Sequence, residues 1–278
     1  MIRWVSALLV LAATAAAPAA AQPLEPMPAL VQLGSDNAGT YLACFERIGT
    51  DPADAFEQAM MWRDQGGGIP ARHCVAAALV ALGRPAEAAL RLEELGLTAR
   101  TAPTAVRARL FSQAGQAWLA ARQNERAHAA LTTAIDGAPE LPDLYVDRAV
   151  TLAAARNYWE AIDDLNRALD LQPRYGIALA MRASAYRFVD SLDLALDDAE
   201  EAVRAAPGLP EAYLERGILR RLRGNIAGAR ADWLRVLVLE PDGDAGDTAR
   251  ANIERLELRL DETPAALPPK PGRRWLPF

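Results

Sequence analysis

The most regular ionisable side chains in this 278-residue sequence are arginines and aspartates that recur at one spacing. Each series advances by 34 residues: Arg148, Arg182 and Arg216, and Asp164, Asp198 and Asp232. A row of guanidinium groups could bind an anionic ligand through paired hydrogen bonds. However, the unit that has Ala114 in the arginine position also has Ala130 in the aspartate position. Because both members are absent together, we predict structural ion pairs within the units rather than an anion site.

The other residues that could support catalysis or metal binding are isolated from one another. His73 and His128 are the only histidines and have no partner at metal-ligand spacing, so we expect surface or hydrogen-bonded core residues. Gly66-Gly67-Gly68 lacks the Lys and Ser or Thr of a phosphate loop and is typical of a flexible joint. Adjacent carboxylates such as Asp163 and Asp164 do not face each other on a helix. These patterns predict no enzyme activity, no metal and no cofactor.

Cys44 and Cys74 are the only thiols in the chain. Their spacing matches no zinc motif. Two alternatives remain at this point: a disulfide, which an oxidising compartment would favour, or two buried and unpaired small apolar side chains.

The N-terminus has the pattern of a secretory signal. Arg3 precedes an apolar run from Trp4 to Ala17, and small residues follow up to Ala21. An uncleaved membrane anchor is the alternative, but the run is short for a span and is followed by Pro18. We therefore expect a mature chain that begins at Gln22, with no integral membrane segment after cleavage. The expected location is an exported compartment, which is the periplasm if the source is Gram-negative.

The charge of the chain excludes some classes of partner. Its formal net charge is −6, which becomes −7 when Arg3 leaves with residues 1–21. Lys270 is the only lysine, and the arginines alternate with acidic residues along the sequence. Such a chain is poorly suited to coat nucleic acid or an anionic membrane surface. We expect a protein or peptide partner and no nucleic acid.

Internal repetition organises most of the sequence. Prolines recur every 34 residues at Pro139, Pro173, Pro207 and Pro241. Small residues keep the same step at two sets of positions: Gly115, Ala149, Ala183 and Gly217, and Ala127, Ala161, Ala195 and Ala229. Large apolar residues recur between them, as at Phe111, Tyr145, Leu179 and Tyr213. This period predicts pairs of antiparallel helices that approach closely at the small residues.

Residues 108–241 resemble four consecutive tetratricopeptide-repeat (TPR) motifs, and the stretches 161–169 and 213–217 are similar to the bacterial, exported type of the repeat. The resemblance implies an all-α fold, a right-handed helical solenoid of about five to six helix-turn-helix units with a C-terminal capping helix. Pro142 and Pro210 suit the first turn of a helix, and Asn157, Ser191 and Asn225 suit helix N-caps.

The expected organisation of the chain has six parts. The parts are a signal peptide over 1–21, an extended segment over 22–36, degenerate TPR-like hairpins over 37–102, four TPR motifs over 103–243, a capping helix over 244–260 and a Pro-rich disordered tail over 261–278. Whether the first hairpin is a true TPR unit stays open, because it matches the pattern weakly. The tail ends in Arg273-Arg274-Trp275-Leu276-Pro277-Phe278, which is either a docking peptide or an unstructured remnant.

The resemblance also implies a binding surface, because the first helix of each TPR unit lines the concave side of the array. The predicted groove residues are Arg109, Ser112, Gln116, Asp143, Val146, Val150, Ile177, Ala180, Ser184, Arg187, Glu211, Leu214, Ile218 and Arg221. Chaperone-binding members of the family clamp a C-terminal carboxylate with Lys and Asn. Val146, Val150 and Ala180 stand at matching positions here, so that activity is not expected.

These features predict a non-catalytic scaffold or adaptor that binds a protein or peptide segment in its groove. An alternative is a self-assembling structural component, a homo-oligomer whose groove or repeat ends pair with another copy. A third alternative is that part of the groove is covered by the protein's own ends.

Overall fold

The computed structural model describes residues 24–33 and 38–261, and all regular elements in this part of the chain are α-helices. Their bounds are α1 Pro28–Leu33, α2 Ala38–Ile48, α3 Pro52–Asp64, α4 Gly68–Ala81, α5 Pro85–Thr98, α6 Thr104–Ala120, α7 Asn124–Gly137, α8 Pro142–Ala154, α9 Tyr158–Leu171, α10 Gly176–Phe188, α11 Leu192–Ala205, α12 Pro210–Leu222, α13 Ile226–Leu239 and α14 Asp244–Asp261. The predicted all-α repeat fold is confirmed.

The chain divides into two compact units, one up to Ala138 and one from Pro139. In the first unit, α2 and α3, α4 and α5, and α6 and α7 form hairpins. In the second unit, the hairpins are α8 with α9, α10 with α11, and α12 with α13, and α14 packs on α12 and α13. Residues 1–23 and 262–278, which include the expected signal peptide and nearly all of the expected disordered tail, lie outside the described residues.

The helix starts follow from local chemistry. Pro142 and Pro210 occupy the first turn of α8 and α12, where the missing N–H leaves no intrahelical bond unmade. Asn225 caps α13, because its side chain accepts a hydrogen bond of 2.9 Å from the Gly228 N–H. Asn157 and Ser191 occupy the N-cap positions of α9 and α11 but make no side-chain cap bond, which differs from the expectation.

Small residues set the distance between the two helices of a hairpin. Ala127, Ala161, Ala195 and Ala229, one in each second helix, are all fully buried. A Cβ added at Gly115 would lie 2.5 Å from Cγ of Leu131, and one added at Gly217 would overlap the Trp233 ring. The repeating small residues therefore allow close approach of the paired helices.

The turn inside each hairpin of the regular repeats contains one residue with positive φ. These residues are again 34 apart: Arg122 (φ 59°), Arg156 (φ 66°), Asp190 (φ 60°) and Gly224 (φ 80°). Each turn closes with two backbone hydrogen bonds, as in Asn157 N–H to Leu152 O at 2.9 Å and Arg156 N–H to Ala153 O at 2.9 Å. This pattern terminates the first helix in a left-handed residue that favours glycine.

The expectation of an extended segment over residues 22–36 was wrong in part, because Pro28–Leu33 form α1. Leu24, Met27 and Leu30 are buried, but of these three only Leu30 lies in α1. Among the described helices, none has both the length and the apolar character of a membrane span.

Candidate functional site

The repeated arginines and aspartates lie together inside the hairpins of the second unit. Arg148 Nη2 is 2.7 Å from Asp164 Oδ1, Arg182 Nε is 2.7 Å from Asp198 Oδ2, and Arg216 Nη2 is 2.7 Å from Asp232 Oδ1. Each guanidinium donates two hydrogen bonds to the same carboxylate. The hydrogen bonds to Asp198 raise the pKa of Arg182.

These pairs join the first helix of a hairpin to its second helix. The three aspartates are buried, so their carboxylates have little contact with solvent and rely on the arginines for hydrogen bonds. At the corresponding positions of the α6 and α7 hairpin, Ala114 and Ala130 are both buried and belong to the hydrophobic cluster of the first unit. Arg220 donates a further bond of 2.9 Å to Asp232. The ion pairs therefore serve to join the two helices of each hairpin.

The predicted groove residues fall in both units. In the second unit they lie on α8, α10 and α12, the first helices of its hairpins, and α10 contacts both of the others. Val146 and Ala180 are buried, with exposed fractions of 7% and 2%, which is a correction: these two predicted groove residues offer little accessible surface. Val150 is 36% exposed.

The remaining residues on these three helices form what we call the unit 2 face: Val150, Ile177, Ser184, Arg187, Glu211, Leu214, Ile218 and Arg221. All except Val150 are partly buried. Leu214 and Ile218 are its partly buried apolar residues on α12, where both pack against the hydrophobic cluster of α13 and α14, and Val150 is its exposed apolar residue on α8. Arg187 and Arg221 lie at the C-terminal ends of α10 and α12. Asp143, at the start of α8, is also partly buried and has an interaction partner.

Glu211 has an unusual environment on this face. Its Oε2 is buried and has no hydrogen-bond partner among the described residues. A buried carboxylate oxygen without a donor has lost its hydration and gained nothing in return, so it favours any ligand that supplies a donor. Because Leu214 and Ile218 follow at steps of three and four residues, they share its side of α12.

Two residues beside this face were missed by the sequence analysis. Glu215 is buried and accepts bonds of 2.5 Å and 3.1 Å from Nε and Nη2 of Arg187, which ties α12 to α10. Phe188 is 55% exposed, stacks on Tyr158 with centroids 4.6 Å apart, and lies below the Arg187 guanidinium. The 34-residue step that relates Phe188 to Leu222, also exposed, was the available signal.

In the first unit, the three predicted groove residues lie on α6. Ser112 is buried, whereas Arg109 and Gln116 are exposed. The neighbouring Gln113 was not predicted, although it makes the more informative contacts. Its Oε1 is 2.5 Å from His73 Nε2, and its Nε2 donates a bond of 3.3 Å to the Glu25 carbonyl oxygen.

His73 is a fully buried residue on α4 that bonds to side chains from two other helices. Its Nδ1 is 2.7 Å from the Tyr41 hydroxyl oxygen on α2, and the Phe45 ring stacks against it. Burial lowers the pKa of His73 to about 4, and the Gln113 hydrogen bond opposes that shift. Burial raises the pKa of Tyr41. The sequence predicted a surface position or a hydrogen-bonded core position for each histidine. His73 has the core position, and His128 is exposed.

Cys44 on α2 and Cys74 on α4 are joined by a disulfide. The bond lies beside the His73 site and links the first two hairpins of the unit. Within the described residues, no group of three His, Cys, Asp or Glu side chains is arranged to hold a metal ion.

Comparisons with known proteins give partial similarities. No family model matches the chain. It is 29% identical over 110 residues to "Protein O-mannosyl-transferase TMTC1" of Homo sapiens, which is 38% of this chain and 12% of that protein. It is 26% identical over 113 residues to the "Small glutamine-rich tetratricopeptide repeat-containing protein" of Dictyostelium discoideum, which is 41% of this chain and 34% of that protein. The chain thus spans about a third or less of these relatives' length.

Two solved structures illustrate the structural similarity. "MamA 41-end from Desulfovibrio magneticus RS-1" has a TM-score of 0.50 and 18% identity, and the match covers 63% of this chain and 97% of that one. "First TPR of Spaghetti (RPAP3) bound to HSP90 peptide SRMEEVD" has a TM-score of 0.39 and 26% identity, and it covers 43% of this chain and 93% of that one. The 34-residue period, the hairpins it builds and the similarity to the MamA structure together show that the chain has the tetratricopeptide-repeat fold.

Proposed function

We propose that this protein is a non-catalytic interaction scaffold that binds a protein or peptide segment on the unit 2 face. The observation that carries the proposal is the buried and unpartnered Glu211 Oε2 beside an apolar surface. Because this oxygen is buried, the Glu211 side chain must turn outward to meet a ligand, and a hydrogen bond donated to it there would recover the solvation that folding removed from the carboxylate.

The chemistry of the face defines the ligand. Leu214 and Ile218 favour apolar side chains in the ligand. Glu211 lies about one helical turn before Leu214 on α12 and favours a backbone N–H, a lysine or an arginine of the ligand at that point. Arg187 is already paired with Glu215. A clamp for a C-terminal carboxylate is not proposed, because Val146, Val150 and Ala180 supply no cationic or amide group.

Selection of peptides from a displayed random library on the full mature chain tests this proposal. We expect selected peptides to combine apolar residues with a lysine or arginine and to lose at least tenfold in affinity for Leu214→Asp. Glu211→Gln should weaken the lysine- or arginine-containing peptides selectively. The matched control is Leu194→Asp, since Leu194 on α11 is 51% exposed and lies on a second helix. Equal binding to all variants would refute the assignment.

Self-assembly is the other outcome that this design can detect. Light scattering on the same variants measures molecular mass. A stable dimer of the native chain that Leu214→Asp converts to a monomer would replace the peptide-binding proposal with the homo-oligomer alternative.

We also propose that the chain acts in an exported compartment. The charged start, apolar run and small residues over 1–21 support this, and the Cys44–Cys74 bond is of the kind that persists in oxidising spaces. Intact mass analysis of the protein from its native cell should give a chain that begins at Gln22. A product that retains residues 1–21 would contradict the proposal.

A further inference from the structure

Residues 24–30 lie against the first helices of the first unit in the manner of a bound peptide. Residues 24–27 have no regular structure and lead into α1, which contacts α2 and α4. Leu24, Met27 and Leu30 are buried in the apolar cluster of the unit, whereas Glu25, Pro26 and Pro28 are exposed. The segment therefore places one side chain in three against the protein.

Two backbone groups of this segment are bonded by side chains of the unit. The Met27 N–H donates to the Tyr41 hydroxyl at 2.9 Å, and the Glu25 carbonyl accepts from Gln113 Nε2 at 3.3 Å. Donor and acceptor are two residues apart, which is the arrangement that one edge of an extended chain presents. Recognition through these groups depends on the backbone of the segment and does not depend on its exposed side chains.

His73 connects the two contacts into one hydrogen-bond relay. Because Gln113 Nε2 donates to Glu25, its Oε1 accepts from His73 Nε2–H, and His73 Nδ1 then accepts from the Tyr41 hydroxyl. The relay thus starts on Met27 and ends on Glu25. Its three members come from α2, α4 and α6, one from the first helix of each hairpin.

We propose that this face of the first unit is a second peptide-binding site, which the chain's own residues 24–30 occupy in this structure. Its ligand is a segment without regular structure that leads into a short helix, with apolar side chains at the Leu24, Met27 and Leu30 positions. A partner segment of this chemistry enters only by displacing the protein's own segment. The proposal is independent of the binding assigned to the unit 2 face, since every residue involved belongs to the first unit.

The experiment keeps the native fold and makes the segment separable. A protease site is inserted in the full mature chain between residues 33 and 38, the folded protein is cleaved there, and a fluorescent synthetic peptide of residues 22–33 is added. We expect the labelled peptide to replace the native one in the cleaved protein. The intact chain should bind it at least a hundredfold more weakly, because a tethered competitor has an effective concentration near the millimolar range.

Matched peptides and a protein variant give the controls. A peptide with Met27→Asp should lose binding at least a hundredfold, whereas Glu25→Ala should bind within a factor of two, since the Glu25 side chain is exposed. Gln113→Ala in the cleaved protein should weaken binding about tenfold. If the cleaved protein remains folded but never exchanges its segment, or if the Met27→Asp peptide binds as tightly as the native sequence, the proposal is wrong.

Discussion

At the residue scale, the most informative side chains are polar groups that folding has buried. Each arginine and aspartate pair in the second unit is satisfied within its own hairpin, and His73 is satisfied by two neighbours from other helices. Glu211 Oε2 differs from them, because no donor in the described chain reaches it. Buried polar groups with partners support the fold, and Glu211 is the exception on which the proposed ligand contact rests.

The Arg182–Asp198 pair predicts a strongly non-additive effect on stability. Asp198→Ala should lower the free energy of unfolding by about 2–3 kcal/mol, because it leaves a mostly buried guanidinium without its carboxylate. The double variant Asp198→Ala with Arg182→Ala should lose about 1 kcal/mol less, since no charge is stranded. Urea denaturation followed by circular dichroism measures both. Equal losses in the single and double variants would argue against a coupled pair.

The depressed pKa of His73 predicts a stability that decreases in acid. Above about pH 6.5 the imidazole is neutral in both states, and as the pH falls toward 4 the unfolded chain binds a proton that the folded chain excludes. This lowers the free energy of unfolding by roughly 1.4 kcal/mol per pH unit in that range. Urea denaturation from pH 7.5 to 4.5 should show a weaker pH dependence for His73→Phe than for His128→Phe. Parallel curves would contradict it.

At the element scale, the repeat is a hairpin with two local requirements. Its turn needs a residue that tolerates positive φ, and its paired helices need small residues where they approach. Both requirements recur with the 34-residue period, but sequence variation has left some units with a less suitable residue. Substitutions can therefore be compared between equivalent positions of different units.

The turn positions predict substitutions of opposite sign. Arg156→Gly should stabilise the fold by about 0.5–1 kcal/mol, because a left-handed conformation is unfavourable for a residue with a Cβ. Gly224→Ala, at the equivalent position of the last hairpin, should destabilise it by about 1 kcal/mol. Thermal unfolding measures both changes. A lower melting temperature for Arg156→Gly would show that its side chain makes contacts that outweigh the strain.

The helix contact at Gly217 predicts a large effect of a single methyl group. An added Cβ overlaps the buried Trp233 ring, so Gly217→Ala should cost about 1–3 kcal/mol through overpacking. Gly208→Ala is the control, because nothing lies within 4 Å of the added Cβ and φ is not positive. Denaturant titration of both variants measures the difference, and similar stabilities would refute the packing role.

At the scale of the whole molecule, the two units differ in how they are stabilised. The first unit contains the disulfide and the polar relay around His73, whereas the second relies on repeated ion pairs within hairpins. A perturbation of either set should therefore act mainly on one unit.

Removal of the disulfide should destabilise the first unit locally. Cys44 and Cys74 are 30 residues apart. Closing a loop of that length lowers the entropy of the unfolded chain, which raises the free energy of unfolding by about 3–4 kcal/mol. Cys44→Ser with Cys74→Ser should increase amide hydrogen exchange in α2 to α5 and change exchange in α10 to α13 much less. Uniform acceleration throughout the chain would contradict this localisation.

The sequence by itself determined the repeating architecture and the pairs within hairpins. A period of 34 with alternating small and large residues reports which sides of consecutive helices meet, since those contacts are short in sequence and recur in each unit. The joint absence of both members at Ala114 and Ala130 related the arginine series to the aspartate series, and the members of each pair are only 16 residues apart.

Only the tertiary structure decided which surfaces remain accessible. Val146 and Ala180 are buried, and the Gln113 to Glu25 contact joins residues 88 positions apart. Residues 24–33 lie outside the repeat, so no periodic pattern relates them to the helices they contact. Periodicity arises from contacts within a repeat, whereas the occupancy of a face depends on segments that fold back from elsewhere in the chain, and a single unrepeated contact leaves no period in the sequence.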